Sequence, residues 1–307
     1  MTGSLAYDGR MHILRLDGPL DDRLHDPVLV VSFDGSTDAG RAGSMAAEAM
    51  LDQWQHRLVG TFDPDRLFDY RDRRPLLPID GGLLGDPEWP AIEVLQLTPP
   101  QGQEVVLIHG AEPDLSWRAL CADIVELAGM VGAKRYVGLG AVPGPIPHTR
   151  PTRVITTASR DDLLDRIGLP DERLVVPASC QVVVEAALRD AGLTTLGMWA
   201  RVPHYVAGEY PDAARVLLDR FADYVGTHLD TSDLAAEAAE NRQRLDHAAE
   251  GSPEIESHIA DLESVFDAQS DVQNSMGGNL PTGDEIAAEL QRFLRGFEDD
   301  QGPGSIG

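Results

Sequence analysis

Lysine is nearly missing from this 307-residue chain: Lys134 stands alone, and every other cationic side chain apart from histidine is an arginine. A Schiff-base mechanism or a phosphate-loop lysine would have to rest on that one residue. Cysteine is scarce as well. Cys121 and Cys180 cannot build a disulfide framework or a cysteine-rich zinc site. No apolar run approaches the ~18 residues needed to cross a bilayer. Met1 to Arg10 lacks the basic patch and apolar stretch of a secretory signal, so a cytoplasmic protein is expected. Basic charge is also short. With 25 Lys and Arg against 51 Asp and Glu, the formal net charge of −26 repels phosphate backbones and anionic lipid. Nucleic acid and membrane are therefore not expected partners.

What is present reads as globular. Apolar residues make up 42% and charged residues 25%, and the length suits one large domain or two. The acidity is unevenly spread. From Asp230 to Gly307 there are 18 acidic residues and four arginines, a net of −14 in about a quarter of the chain. That shift sets a boundary near Leu229 to Ser232. The expected organisation is a core domain over 1–229, a helical region over 230–297 and a flexible tail over 298–307.

Before the boundary, short β-branched runs alternate with helical patterns. The run 27–33 (PVLVVSF) is apolar throughout, as in a strand buried on both faces. It ends in Asp34-Gly35-Ser36-Thr37, a turn that can cap a helix running to about Leu58. Further strands are expected at 92–97, 105–109, 136–139, 154–157, 174–176 and 195–202, and helices at 114–132, 161–167, 180–191 and 211–229. This alternation predicts an α/β fold, a three-layer α/β/α sandwich on a mostly parallel or mixed sheet. After the boundary the strands stop. Ile255, Ile259, Leu262 and Phe266 form one helical stripe, and Leu234, Ala238 and Leu245 a weaker one before it. Gly251-Ser252-Pro253 separates them, which reads as a helical hairpin. A last helix is expected over 283–294.

Ligands of open α/β sheets gather beyond the carboxyl ends of the strands, so those ends supply the candidates. Asp34, with Ser36 and Thr37, offers a carboxylate and hydroxyls at a helix start, or simply a turn and cap. His109 and Glu112 could be an acid/base pair or two metal ligands; equally, Glu112 suits a helix start on dipole grounds. In Pro177-Ala178-Ser179-Cys180-Gln181 the glycines of a nucleophile elbow are absent, and Ser179 reads as an N-cap. The segment 138–151 (GLGAVPGPIPHTRP) starts like a dinucleotide fingerprint, but Pro143 replaces the third glycine. Its glycines and prolines predict a stiff irregular loop presenting His148 and Arg150. His204 closes the last strand. The run Tyr70-Arg71-Asp72-Arg73-Arg74-Pro75 places Arg71 and Arg73 where they could grip an anion, the chain's own carboxylates or a neighbouring subunit. No histidine pair has metallopeptidase spacing. No residue is assigned a catalytic or metal-binding role, and no cofactor is expected.

These stretches in this order resemble the proteasome assembly chaperone 2 family, in particular its actinobacterial branch of uncharacterised members. The resemblance is carried by 29–40 (VLVVSFDGSTDAG), 70–75 (YRDRRP), 105–117 (VVLIHGAEPDLSW), 137–154 (VGLGAVPGPIPHTRPTRV) and 283–296 (GDEIAAELQRFLRG). It implies a core similar to the purine nucleoside phosphorylase/hydrolase-like architecture, a helical C-terminal addition and a homo-oligomer, with a trimer as the state to test. It also implies non-catalytic work as an assembly chaperone or scaffold, with proteasome subunits as partners. Several relatives end in a hydrophobic-Tyr-any tripeptide that docks on the proteasome. This chain ends Gly304-Ser305-Ile306-Gly307 without the tyrosine, which counts against that mode of docking. The competing expectation is a hydrolase or phosphorylase acting on a small polar substrate at the strand ends.

Overall fold

The computed structural model describes residues 13–18, 24, 26–164 and 175–277. Its main sheet has eight strands: β1 (Leu14–Leu16), β2 (Val28–Asp34), β3 (Gln55–Phe62), β6 (Ile92–Thr98), β7 (Val105–Ala111), β8 (Arg135–Gly144), β9 (Val154–Ala158) and β10 (Thr194–Pro203). A separate two-stranded hairpin, β4 (Ile79–Asp80) and β5 (Leu83–Leu84), lies between β3 and β6 in the chain. The helices are α1 (Ala42–Gln53), the short α2 (Pro64–Leu67), α3 (Trp117–Val131), α4 (Cys180–Asp190), α5 (Pro211–Val225), α6 (Ser232–Ala249) and α7 (Pro253–Gly277).

The sheet order is β1-β3-β6-β7-β2-β8-β10-β9. Its centre, β7-β2-β8-β10, is parallel, and the strands on both wings are antiparallel. The expected mixed sheet is thus realised, with the carboxyl ends of four parallel strands on one rim. Alternation along β2 builds both cores. Val28 and Val30 join Met50 of α1 and Leu217 and Phe221 of α5 on one face. Leu29, Val31 and Phe33 join Leu120 and Ile124 of α3 and Val184 and Leu188 of α4 on the other. A strand feeding two cores favours apolar residues on both faces, which is why the run 27–33 is apolar but for the small, buried Ser32.

Two expectations fail locally. The first helix ends at Gln53 rather than near Leu58: Trp54 turns extended, buries beside Phe221 at a ring distance of 6.5 Å, and β3 follows. The glycine-proline segment is not irregular throughout, since β8 runs on to Gly144. Pairing of β8 with β2 stops at Gly138, and Ala141 N–H donates to Thr37 O at 2.7 Å on that vacated edge. Two residues on, the donor that Pro143 lacks falls on the same edge, away from the ladder with β10. Gly140 is required by close approach: a Cβ there would sit 2.7 Å from the Trp199 ring and 2.8 Å from Thr37 O.

Of the expected strand 174–176, Val175 and Val176 are unpaired and exposed, and Leu174 lies outside the described residues. The helix expected at 161–167 is a single 3₁₀ turn, Asp161–Leu163, before the described residues stop. The helix expected over 283–294 lies outside them altogether. Helices α6 and α7 form on either side of Gly251-Ser252, with Leu234, Ile259, Leu262 and Phe266 buried, but Ile255, the first residue of the expected stripe, is 45% exposed. Among the described residues no helix is long and apolar enough to cross a membrane.

The edge strand β1 is pinned from below. Buried Asp123 of α3 accepts the backbone N–H groups of Ile13 and Leu14 at 2.7 and 2.8 Å. Replacing it leaves two buried donors unmatched, so Asp123→Ala should lower unfolding stability by roughly 1–3 kcal/mol. The urea midpoint checks this, and amide exchange should rise first in residues 13–16.

Candidate functional site

The candidate residues separate into two groups along the strand-end rim. The first lies beyond β8 and β10. After Gly144 the chain turns back, and His148 is 4% exposed. Tyr205 Oη lies 2.8 Å from His148 N, whose proton it accepts, and 2.7 Å from ring Nδ1. Nε2 lies 3.1 Å from Asp246 Oδ1 on α6. One proton arrangement satisfies all three contacts with a neutral ring: the tyrosine hydroxyl donates to Nδ1, and Nε2–H donates to the carboxylate.

Arg150 forks onto Asp267 of α7 with Nε–Oδ1 and Nη2–Oδ2 distances of 2.8 and 2.7 Å, and its Nη1 reaches Glu263 at 3.0 Å. Planar bidentate pairing fixes direction as well as distance. Thr149 also donates to Glu263. The guanidinium of Arg153 lies 3.7 Å above the Phe266 ring. His204 Nδ1 lies 3.2 Å from Gly144 O, and its Nε2 lies 3.4 Å from Nε2 of His258 on α7. The structure therefore brings His148, Arg150 and His204 together against the chain's own helical hairpin, and His148 and Arg150 also line a cavity of about 520 Å³ with Tyr210, Asp212 and Arg215.

The second group lies beyond β2 and β7. Asp34 stays largely exposed, and Arg73 approaches it at 3.6 Å. Glu112 is a bridge. One carboxylate oxygen accepts from Ser36 N at 2.7 Å, and the other from Cys180 N at 2.8 Å. A single side chain thus satisfies the turn after β2 and the first turn of α4, whose orphan N–H groups also favour negative charge. Gly35 makes room: a Cβ there would come 2.4 Å from Glu112 Cβ. Arg71 stands apart, 90% exposed and forked onto neighbouring Asp69, whose carboxyl it holds down at about 2.

His109 lies in register between Ser32 of β2 and Glu93 of β6. Burial pulls its pKa down against the pull of Glu48 and Glu93, and among the described residues neither Nδ1 nor Ser32 Oγ has a hydrogen-bond partner. Ser179 caps α4 as read, accepting from Val182 N at 3.3 Å, and burial pushes the Cys180 thiol well up, away from a nucleophile's range. Among the described residues, no group of three His, Cys, Asp or Glu could hold a metal ion.

Sequence reasoning missed three side chains that organise this rim. Gln181 is fully buried where β2 and β8 part, accepting from Phe33 N at 3.2 Å and donating to Leu139 O at 3.1 Å. Asp38 accepts from Gly43 N, Ser44 N and Ser44 Oγ, and burial raises its pKa despite those bonds. Tyr205 supplies both contacts to His148 on the loop side. Only Asp38 carries a local signal, an acid just ahead of a helix.

A model of the PAC2 family matches residues 32–249. A protein of unknown function from Corynebacterium glutamicum is 31% identical, covers 84% of this chain and 97% of its own, and superposes with a TM-score of 0.78. A Mycobacterium tuberculosis protein of unknown function is 30% identical over 90% of this chain and 95% of its own, with a TM-score of 0.80. A Mycobacterium tuberculosis proteasome-assembly chaperone homologue is 29% identical over 76% of this chain and 99% of its own, with a TM-score of 0.71. No curated protein matches the chain.

Two expectations follow from the geometry. Glu112→Ala strands two backbone donors and should cost roughly 2 kcal/mol in urea unfolding, whereas Arg71→Ala, with its exposed partner, should leave the midpoint unchanged. The hairpin clamp should also be acid-labile. Arg150 holds Asp267 below its ordinary carboxylate range. That stabilisation is complete above the unfolded aspartate value of about 3.9 and disappears as pH falls through the lowered folded value. Amide exchange in 253–270 should accelerate below that pH, before exchange in β2 and β7 does.

Proposed function

The chain belongs to the PAC2 family, and from that premise we propose that it is a non-enzymatic assembly chaperone or scaffold, cytoplasmic and working as a homo-oligomer. One observation carries the reading. Charged groups at the strand ends that could have faced a substrate hold the chain's own elements in place: Arg150 on Asp267 and Glu263, Glu112 on Ser36 and Cys180. A catalytic rim needs nucleophile, base and oxyanion donors converging on a free space. The rival hydrolase or phosphorylase reading needs Asp34, His109, Glu112, His148, Arg150 and His204 to share one pocket. They fall into two groups, and His148 is sealed beneath α6. A fold shared with phosphorylases does not by itself argue for their chemistry.

In this reading residues 1–229 are the working core and 230–297 an acidic addition, whose described helices α6 and α7 are clamped to the rim. The relative described as a proteasome-assembly chaperone homologue is 29% identical, which makes proteasome core-particle subunits the partner class to test. A tagged full-length chain should capture those subunits from actinobacterial cytosol in amounts visible by native mass spectrometry. Arg150→Ala should release the hairpin and change the captured set. Recovery of the chain free of any core-particle subunit would remove the proteasome assignment.

A further inference from the structure

The rim is covered over β8 and β10 by α6 and α7, while over β2 and β7 the chain sends out an arm. Residues 76–89 leave the body as the hairpin of β4 and β5, turned through Gly81 and Gly82 at φ of +56° and +89°. Among the described residues the arm is held at its root, by paired backbone bonds between Leu76 and Glu88 and by Tyr70 edge-on to Trp89 at 4.8 Å. Leu76, Ile79, Leu83 and Leu84 are between 65% and 78% exposed. Val175 and Val176 are 80% and 62% exposed, in a segment outside any helix or strand that pairs with nothing among the described residues.

Both features spring from one place. Arg73 at the arm's root reaches Asp34, and the segment holding the two valines leads into Cys180, whose amide is held by Glu112 beside the same turn. Together these six residues, each 62% to 80% exposed and divided between the arm and the valine segment, leave on the order of 700 Å² of mostly apolar surface. A monomer's largest patch is usually ~300–600 Å², and a stable interface takes about 800 Å² from each partner. A two-stranded hairpin is marginal alone, and its open edges are templates for a further strand. Val175–Val176 is an unpaired β-branched stretch among the described residues.

We propose that this half of the rim is the subunit contact, with the 76–89 arm of one copy lying along Val175–Val176 of a second copy. The proposal rests on the oligomeric reading above and names the surface that makes it. Analytical ultracentrifugation from sub-micromolar to tens of micromolar separates the two claims. The wild-type chain should associate. Leu83→Asp/Leu84→Asp and Val175→Asp/Val176→Asp should each weaken association at least tenfold, while Val265→Asp, at an exposed position on α7, should not. If the wild type associates and both double variants associate equally well, the surface is wrong and the oligomer stands. If the wild type is a monomer throughout, the oligomeric reading falls and this proposal with it. Circular dichroism checks that the variants fold. For any that does not, amide exchange on the wild type decides: protection of 76–89 should rise with concentration, and protection independent of concentration overturns the contact.

Discussion

Four parallel strands that end on one rim leave their last carbonyls, and the first N–H groups of the helices that follow, close together and half out of water. Unmatched buried backbone groups cost more than most single contacts return. Much of the chemistry at this rim answers that constraint. Glu112 joins the turn after β2 to the start of α4. Gln181 spans the gap where β8 leaves β2. Asp38 closes the start of α1. Charged and amide groups that would suggest a reaction centre are the fasteners of an α/β core.

The same constraint divides the rim. Beyond β8 and β10 the connecting loops are rich in arginine and histidine, and α6 and α7 are rich in acid. The clamp formed by Arg150, His148 and Arg153 converts the uneven charge along the chain into a covered surface. Beyond β2 and β7 no such cover is described, and the chain exposes leucine and valine there instead.

Much of the architecture was legible. A continuous apolar run gave β2, a helical stripe gave α7, and the spans expected at 105–109, 114–132 and 211–229 became β7, α3 and α5. The misreadings share a cause. Residues 55–58 continue a helical pattern, but burying Trp54 against Phe221 ends the helix. Gly138 to Gly144 reads as loop, but a vacated sheet edge tolerates proline there. Val175 and Val176 have strand chemistry without a strand beside them. In each case local preference met a tertiary demand and yielded.

By itself the sequence determined the periodicities, the two-faced core, the acidic helical hairpin and which polar residues stand at strand ends, because these depend on neighbours a few positions apart. Only the tertiary structure decided what those residues face. His148 meets Asp246 across 98 positions, Arg150 meets Asp267 across 117, and Glu112 meets Cys180 across 68. Partners so distant are chosen by the packing of whole elements, whose hydrophobic faces fix the approach before any side chain can pair, and no local pattern records that choice.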